Sequence, residues 1–247
     1  MGKEVEQVSL QRRHEIVLKI DEHNSSSITK DDLKKCDVAI EFSTPATAIS
    51  NMMRCFEAGI PVVVGTTGWY DRLEKVKKVC DEMDGCLFYA SNFSIGVNIF
   101  FKVNEQLAKM MNAYSDYDVF VEEVHHIHKL DAPSGTAITL ANNIINNLKR
   151  KSKWQTITRN EKQRSGEAAN NSDSPNPRLS DSDLLITSKR IDEVPGTHTV
   201  KYHSAIDDIE IIHKAHNRKG FAIGAVLAAE FANGKKGVFG MDDLMIP

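Results

Sequence analysis

The chain has 247 residues, 41% hydrophobic and 26% charged, and its 31 Lys plus Arg nearly balance 34 Asp plus Glu, for a formal charge of −3. That length holds one large domain or two modest ones with a real core, and the charge balance predicts no nucleic-acid partner, because such modules carry a basic excess. No apolar run approaches the roughly 20 residues that cross a bilayer, and the opening Met1-Gly2-Lys3-Glu4-Val5-Glu6 lacks the apolar stretch of a secretory signal, so a cytoplasmic protein is expected.

In chain order, Val5, Val8 and Leu10 predict a first helix, and Ile16 to Ile20 a strand that ends at an acid, Asp21. Cys36, Cys55, Cys80 and Cys86 lie scattered without a C-x-x-C pair, which predicts free thiols in a reducing compartment. Asp37 to Phe42 reads as a strand, and Ser43-Thr44-Pro45 opens a helix running from about Ala46 to Gly59. Pro61 to Val64 is a buried strand. Gly65-Thr66-Thr67-Gly68 then leads into a helix reaching about Glu82, and Cys86 to Ala90 closes the series. Strands alternating with helices imply a parallel sheet covered on both faces, a doubly wound α/β fold. Such a sheet has a strand and a glycine-rich turn ahead of its first helix. The expectation is that the chain begins inside that turn, with Gly2 at the third fingerprint glycine and about ten residues unrepresented. A fold that starts with a helix is the alternative.

In the second half, Val97, Ile99, Phe100, Val103, Leu107 and Met110 recur at helical steps between Gly96 and Met111, and a strand starts at Asp118 and runs toward His126. A helix from Ser134 carries Ala137, Ile138, Ala141, Ile144, Ile145 and Leu148 on one face. It is expected to finish at the cations Lys149-Arg150-Lys151, which suit a helix C-terminus. Lys151 to Asp183 has few apolar side chains and contains Asn170 to Pro177, which predicts a long mobile loop. Strands at Leu184 to Thr187, Thr197 to Tyr202 and Ile209 to His213 follow too closely for crossover helices, so this second sheet is at least partly antiparallel. A small-residue apolar helix, Phe221 to Phe231, stops at Asn233-Gly234. Two sheets of different character argue for two domains, residues 1–93 with 220–247, and residues 94–219.

The chemistry concentrates in His125-His126-Ile127-His128-Lys129-Leu130-Asp131-Ala132-Pro133-Ser134-Gly135-Thr136. His125 and Lys129, four apart, share one side of a strand and nearly so of a helix. Imidazole exchanges protons near neutral pH. Ser134-Gly135-Thr136 opens a helix whose first N–H groups suit a carboxylate or phosphate. An acid–base pair beside an anion cradle fits a small anionic substrate. Zinc on His125, His126 and His128 is a rival reading, although no H-x-x-x-H or cysteine pair completes a familiar ligand set; a surface cluster facing solvent is another. Gly65-Thr66-Thr67-Gly68 lies where nucleotides bind at the carboxyl edge of a parallel sheet, and Asp21 is placed to accept ribose hydroxyls.

The stretch Glu123 to Ala137 closely resembles the signature of the dihydrodipicolinate reductase family, which acts in the diaminopimelate route to lysine. Gly65 to Gly68, Ala90-Ser91-Asn92-Phe93-Ser94-Ile95-Gly96-Val97-Asn98 and Glu210 to Asn217 also match. The resemblance implies a Rossmann-like domain, here without its first strand, closed by the C-terminal helix, and a mixed-sheet α+β domain for substrate and tetramerisation. It implies reduction of a cyclic dicarboxylate, 4-hydroxy-tetrahydrodipicolinate, by NADH or NADPH, with loss of the hydroxyl and no metal. By the same resemblance His125 is the general acid–base residue and Lys129 the proton donor. His126, Gly135 and Thr136 hold substrate carboxylates, and Gly65, Thr66, Thr67, Ala90, Ser91, Asn92 and Phe93 line the cofactor. A second reading, a cofactor-free binding or regulatory subunit that keeps the pocket and the assembly surface, follows from the missing start of the glycine fingerprint.

Overall fold

Val62, Val63 and Val64 are all fully buried, which a strand achieves only when both faces of its sheet are covered. A computed structural model describes residues 1–160 and 180–245 and shows how. The first stretch contains α1 (Gly2–Gln11), α2 (Lys30–Leu33), β1 (Ala39–Glu41), α3 (Pro45–Ala58), β2 (Val62–Val64), α4 (Leu73–Glu82) and β3 (Cys86–Tyr89). Then come α5 (Ile95–Met111), β4 (Asp118–His125), α6 (Gly135–Asn147), β5 (Lys153–Asn160), β6 (Asp183–Arg190), β7 (Thr197–His203) and β8 (Asp208–Lys214). The chain ends with α7 (Lys219–Ala232), β9 (Gly237–Phe239) and α8 (Met241–Met245). These elements form two units, Met1–Ile95 with Lys219–Pro247, and Gly96–Arg218.

The first unit is built on a four-stranded sheet in the order β1-β2-β3-β9, parallel throughout. Alternate valines serve opposite faces. Val63 joins Val5 and Val8 of α1 with Ala222, Ala225 and Val226 of α7, while Val62 and Val64 meet Met52 and Phe56 of α3 and Val76 of α4. α3 starts on Pro45, whose fixed φ suits a first turn, and ends at Gly59, which takes the left-handed φ of +73°. α7 packs so closely on the segment after β3 that a Cβ at Gly224 would stand 1.7 Å from the Phe93 carbonyl oxygen.

The expected strand at Ile16 to Ile20 does not form. A strand is defined by its ladder, and no described strand pairs with this segment, whose Val17 and Ile20 stay exposed. Gly2 is a helical residue with open space where a Cβ would be, so no close backbone packing requires a glycine there. β9 and α8 were not foreseen; the three residues of β9 are too short to show a period.

The second unit has the strand order β5-β6-β4-β7-β8. β5 and β4 run parallel to β6, whereas β7 is antiparallel to both β4 and β8. α5 and α6 cover one face, where Phe100, Met111, Leu140 and Ile144 pack on Val121, Ile186, Val200 and Tyr202. Part of the expected loop Lys151 to Asp183 is strand β5, whose backbone pairs with β6 although its residues Lys153-Trp154-Gln155-Thr156 show no clean alternation. The rest of that loop, 161–179 with Asn170 to Pro177, lies outside the described residues. The cations after α6 do not serve its end either. The helix stops at Asn147, and Lys151 is buried, donating to the carbonyls of Asp181 and Asp183 and pairing with Asp118 at 2.7 Å.

Candidate active site

β4 alternates its side chains so that Val119, Val121, Glu123 and His125 all point to the covered face. The first two enter the core. Glu123 and His125 carry that row to the end of the sheet, where cross-strand register adds His198 of β7 opposite Glu123 and Arg190 of β6 opposite His125. Glu123 is completely buried. Its carboxylate accepts from the Ser134 N–H at 3.1 Å on both oxygens and from Arg190 Nη2 at 3.2 Å. His125 Nδ1 faces Glu123 Oε2 at 3.2 Å without the alignment of a hydrogen bond, and the His125 ring stands edge-on to His198 at 5.0 Å. Gly196 leaves room for that imidazole, since a Cβ there would come within 3.0 Å of His125 Nε2.

Two electrostatic consequences follow. Burial pushes the Glu123 carboxyl up, but its His125 and Ser134 neighbours outweigh burial and hold it well below the usual carboxylate range. His198 is driven down to about 3, first by burial and then by the charge of His125, against the pull of Glu123. At neutral pH the cluster therefore holds an ionised carboxylate beside a neutral His198. Four buried nitrogens here, His125 Nδ1, His126 Nδ1, His198 Nδ1 and Arg190 Nε, have no hydrogen-bond partner among the described residues. Such groups are rare in native proteins and call for an explanation.

Lys129 sits on neither a strand nor a helix, contrary to the two geometries considered for it. Its N–H closes a turn onto the His126 carbonyl at 3.1 Å, and its Nζ donates to Asp131 Oδ1 and Oδ2 at 2.8 and 2.9 Å. Burial raises the Asp131 carboxyl, yet the Lys129 bond and charge prevail and hold it below its ordinary range. Lys129 also acts on His198 through its charge, so the loop and the strand cluster share one field. Ser134 caps α6, its Oγ accepting from the Ala137 N–H at 3.2 Å and meeting His198 Nε2 at 3.1 Å. A Cβ at Gly135 would meet open space and Thr136 is half-buried; both directly follow Ser134, whose N–H and Oγ contact the cluster. His128 turns away to an exposed pairing with Glu193. Of the three histidines weighed for zinc, only His125 belongs to a ligand-type group, with Glu123 and His198, whose ligand atoms lie within 4.8 Å of one another. The Glu123 oxygens in that group are already engaged by Arg190 and Ser134.

In the other unit, the turns after β1, β2 and β3 lie side by side at the carboxyl edge of the sheet. Gly65 follows β2 beneath the Phe42 ring, where a Cβ would stand 2.0 Å from a ring carbon. The Thr66 hydroxyl accepts from the Ser43 N–H at 2.8 Å, its carbonyl accepts from Trp69 Nε1 at 2.7 Å, and Thr67 is exposed. After β3, Ala90 and Phe93 are buried, Ser91 is exposed, and Asn92 Oδ1 accepts from the Ser94 N–H. Asp21 is not with them on a strand end: it caps a turn, Oδ1 accepting from the His23 N–H at 2.9 Å and the Asn24 N–H at 3.3 Å. Sequence reasoning missed Glu123, His198 and Arg190 as site residues. Only Glu123 carried a signal, its two-residue spacing from His125.

A parallel sheet with small polar turns at its carboxyl edge, joined in one chain to a mixed sheet bearing a buried carboxylate–histidine cluster, is the build of a two-domain α/β enzyme. Residues 1–93 match the pattern described as "Dihydrodipicolinate reductase, N-terminus" and residues 96–245 match "Dihydrodipicolinate reductase, C-terminus". The chain belongs to the dihydrodipicolinate reductase family. It is 45% identical over 247 residues to a 4-hydroxy-tetrahydrodipicolinate reductase of Christiangramia forsetii, spanning 99% of this chain and 93% of that protein. It is 34% identical over 213 residues to the enzyme of that name from Neisseria gonorrhoeae, 86% of this chain and 74% of that one. Its fold matches a dipicolinate-bound dihydrodipicolinate reductase from Paenisporosarcina sp. TG-14 with a TM-score of 0.71 at 21% identity, covering 99% of this chain and 95% of that one.

Proposed function

We propose that the protein reduces 4-hydroxy-tetrahydrodipicolinate to tetrahydrodipicolinate with NADH or NADPH, on the diaminopimelate route to lysine. The overall balance consumes the hydroxy compound, NAD(P)H and a proton, and yields product, NAD(P)⁺ and water. The observation that carries this is the buried Glu123–His125–His198 cluster beside the start of α6, in a chain 45% identical to a reductase of that name.

The turns after β2 and β3 suit a dinucleotide. Gly65 lies beneath the Phe42 ring, where no side chain fits, and the Thr66 and Thr67 backbone sits at the sheet edge. Gly65, Thr66, Thr67, Ala90, Ser91, Asn92 and Phe93 would line the nicotinamide half. Asp21 would take ribose hydroxyls by exchanging its turn bonds. The bound cofactor supplies a hydride. Everything else falls to this chain: His126 and the N–H groups of Gly135 and Thr136 orient the substrate carboxylates, Lys129 donates the balancing proton, and His125 is the acid–base group. Residues 1–93 with 220–247 serve as the cofactor domain and 94–219 as the substrate and assembly domain. Assembly as a homotetramer belongs to the same reading, and the sheet face not covered by α5 and α6 carries exposed Phe120 and Ile212. No described helix is long and apolar enough to span a membrane.

The test is consumption of NADH or NADPH by the purified protein, dependent on the cyclic dicarboxylate, with light scattering for the assembly. A protein without dicarboxylate-dependent turnover refutes the enzyme reading. The cofactor-free alternative finds no support among relatives named as reductases.

A further inference from the structure

Arg190 has a double engagement that no residue pattern announced. Its register on β6 places it opposite His125. From there Nη2 donates both to Glu123 Oε1 at 3.2 Å and to the carbonyl of Asp131 at 2.7 Å, while Nη1 donates to the Lys189 carbonyl at 2.8 Å. Asp131 in turn holds Lys129 through its carboxylate. One guanidinium therefore links the carboxylate that faces His125 to the loop that presents Lys129. Both members are deeply buried, Glu123 at 0% and Arg190 at 6% exposure. A pair of charges taken out of water is a poor source of stability compared with apolar side chains of the same size, so its presence needs another reason.

We propose that Glu123 and Arg190 form a positioning pair for the reaction, aiming the His125 imidazole and anchoring the Lys129 loop. The inference rests on the reductase reading and adds two residues to it. Both act through His125 and the Lys129 loop. Arg190 takes Glu123 Oε1 and the Ser134 N–H is shared between both oxygens, so Oε2 still has a lone pair to turn to His125 Nδ1. The contact is off-line at 3.2 Å, as catalytic hydrogen bonds often are before ligand arrives. A donor–acceptor pairing there sets the imidazole with its N–H on Nδ1 and its acceptor nitrogen on Nε2. Ser134 supplies a third tie, because the residue that caps α6 also donates its backbone N–H to Glu123. The carboxylate thus registers three pieces of machinery at once: strand end, loop and helix start. A Lys at 190 keeps the charge but, lacking the planar fork, does not span both acceptors.

The experiment compares wild type with Glu123→Gln, Arg190→Lys and the charge-neutral double variant Glu123→Gln/Arg190→Met. It reads kcat, KM for the dicarboxylate, KM for NADH, and thermal melting to establish that each is folded. The double variant is included because a single change strands a buried charge and can cost folding by itself. Positioning predicts that the folded double variant and Arg190→Lys lose about tenfold or more in kcat, while KM for NADH changes by less than about threefold. A merely structural pair predicts the reverse: once charge is balanced and the protein is folded, turnover returns. A folded double variant with wild-type kcat overturns the proposal while leaving the reductase reading intact. A wild type without turnover overturns the reductase reading itself.

Discussion

His198 makes the stability of the second unit sensitive to mild acid, by an amount that can be worked out. It is 5% exposed, lies between Ser134 Oγ at 3.1 Å and Glu123 Oε2 at 3.8 Å, and is pushed down to about 3 by burial and by the charge of His125. In the unfolded chain an imidazole titrates near 6.5. Below about 6.5 the unfolded state takes up a proton that the native state refuses until the pH nears 3, so native stability falls as pH falls across that window. The slope approaches about 1.4 kcal/mol per pH unit, which amounts to about 2 kcal/mol between pH 7 and pH 5. His198→Gln keeps a polar group of similar reach but cannot take up the proton. Urea unfolding followed by far-UV circular dichroism at pH 7 and pH 5 isolates this contribution, because the other titrating groups remain in both proteins. Wild type should lose about 2 kcal/mol more than the variant over that interval. Equal losses would refute the reasoning and place the acid sensitivity elsewhere.

Three further outcomes are expected. Lys129→Ala should lower kcat by roughly 10²–10⁴-fold, the usual contribution of a positioned proton donor, with NADH affinity by calorimetry nearly unchanged; a variant retaining half its activity removes Lys129 from that role. Gly224→Ala should destabilise the first unit by about 1–3 kcal/mol or more, because its Cβ would stand 1.7 Å from the Phe93 carbonyl oxygen, and an unchanged Tm would contradict that packing. NADH should be used at least as well as NADPH, since Asp21, if it takes the ribose hydroxyls as proposed, and Glu22 beside it, both exposed, would repel a 2′-phosphate; a strong NADPH preference in kcat/KM would overturn the charge argument.

Much of the architecture was legible in the amino-acid order because it is encoded locally. Pro45 and Gly59 bound α3 through their own backbone preferences, the apolar steps from Val97 to Met110 define α5, and the apolar run Val119-Phe120-Val121 marks the start of β4. The long signature from Glu123 to Ala137 named the family without any coordinates. Pattern failed where an element depends on a partner. Ile16 to Ile20 has the composition of a strand but no described strand pairs with it, and β5 has a strand's partner without a strand's pattern. It also misplaced Lys129, whose turn through the His126 carbonyl breaks the period that both simple geometries assumed.

How the buried cluster assembles belonged to tertiary structure alone. Nothing local distinguishes Arg190 from the other cations of the chain, or His198 from a histidine on a solvated strand. Each acquires its role when the register of β6 and β7 against β4 sets it beside Glu123 and His125, in an environment dry enough to hold one carboxylate charged and one imidazole neutral. Residue order determines which side chains a strand buries; which buried side chains then meet is decided by pairing between strands far apart in the chain, and that pairing follows from packing the whole sheet against its helices.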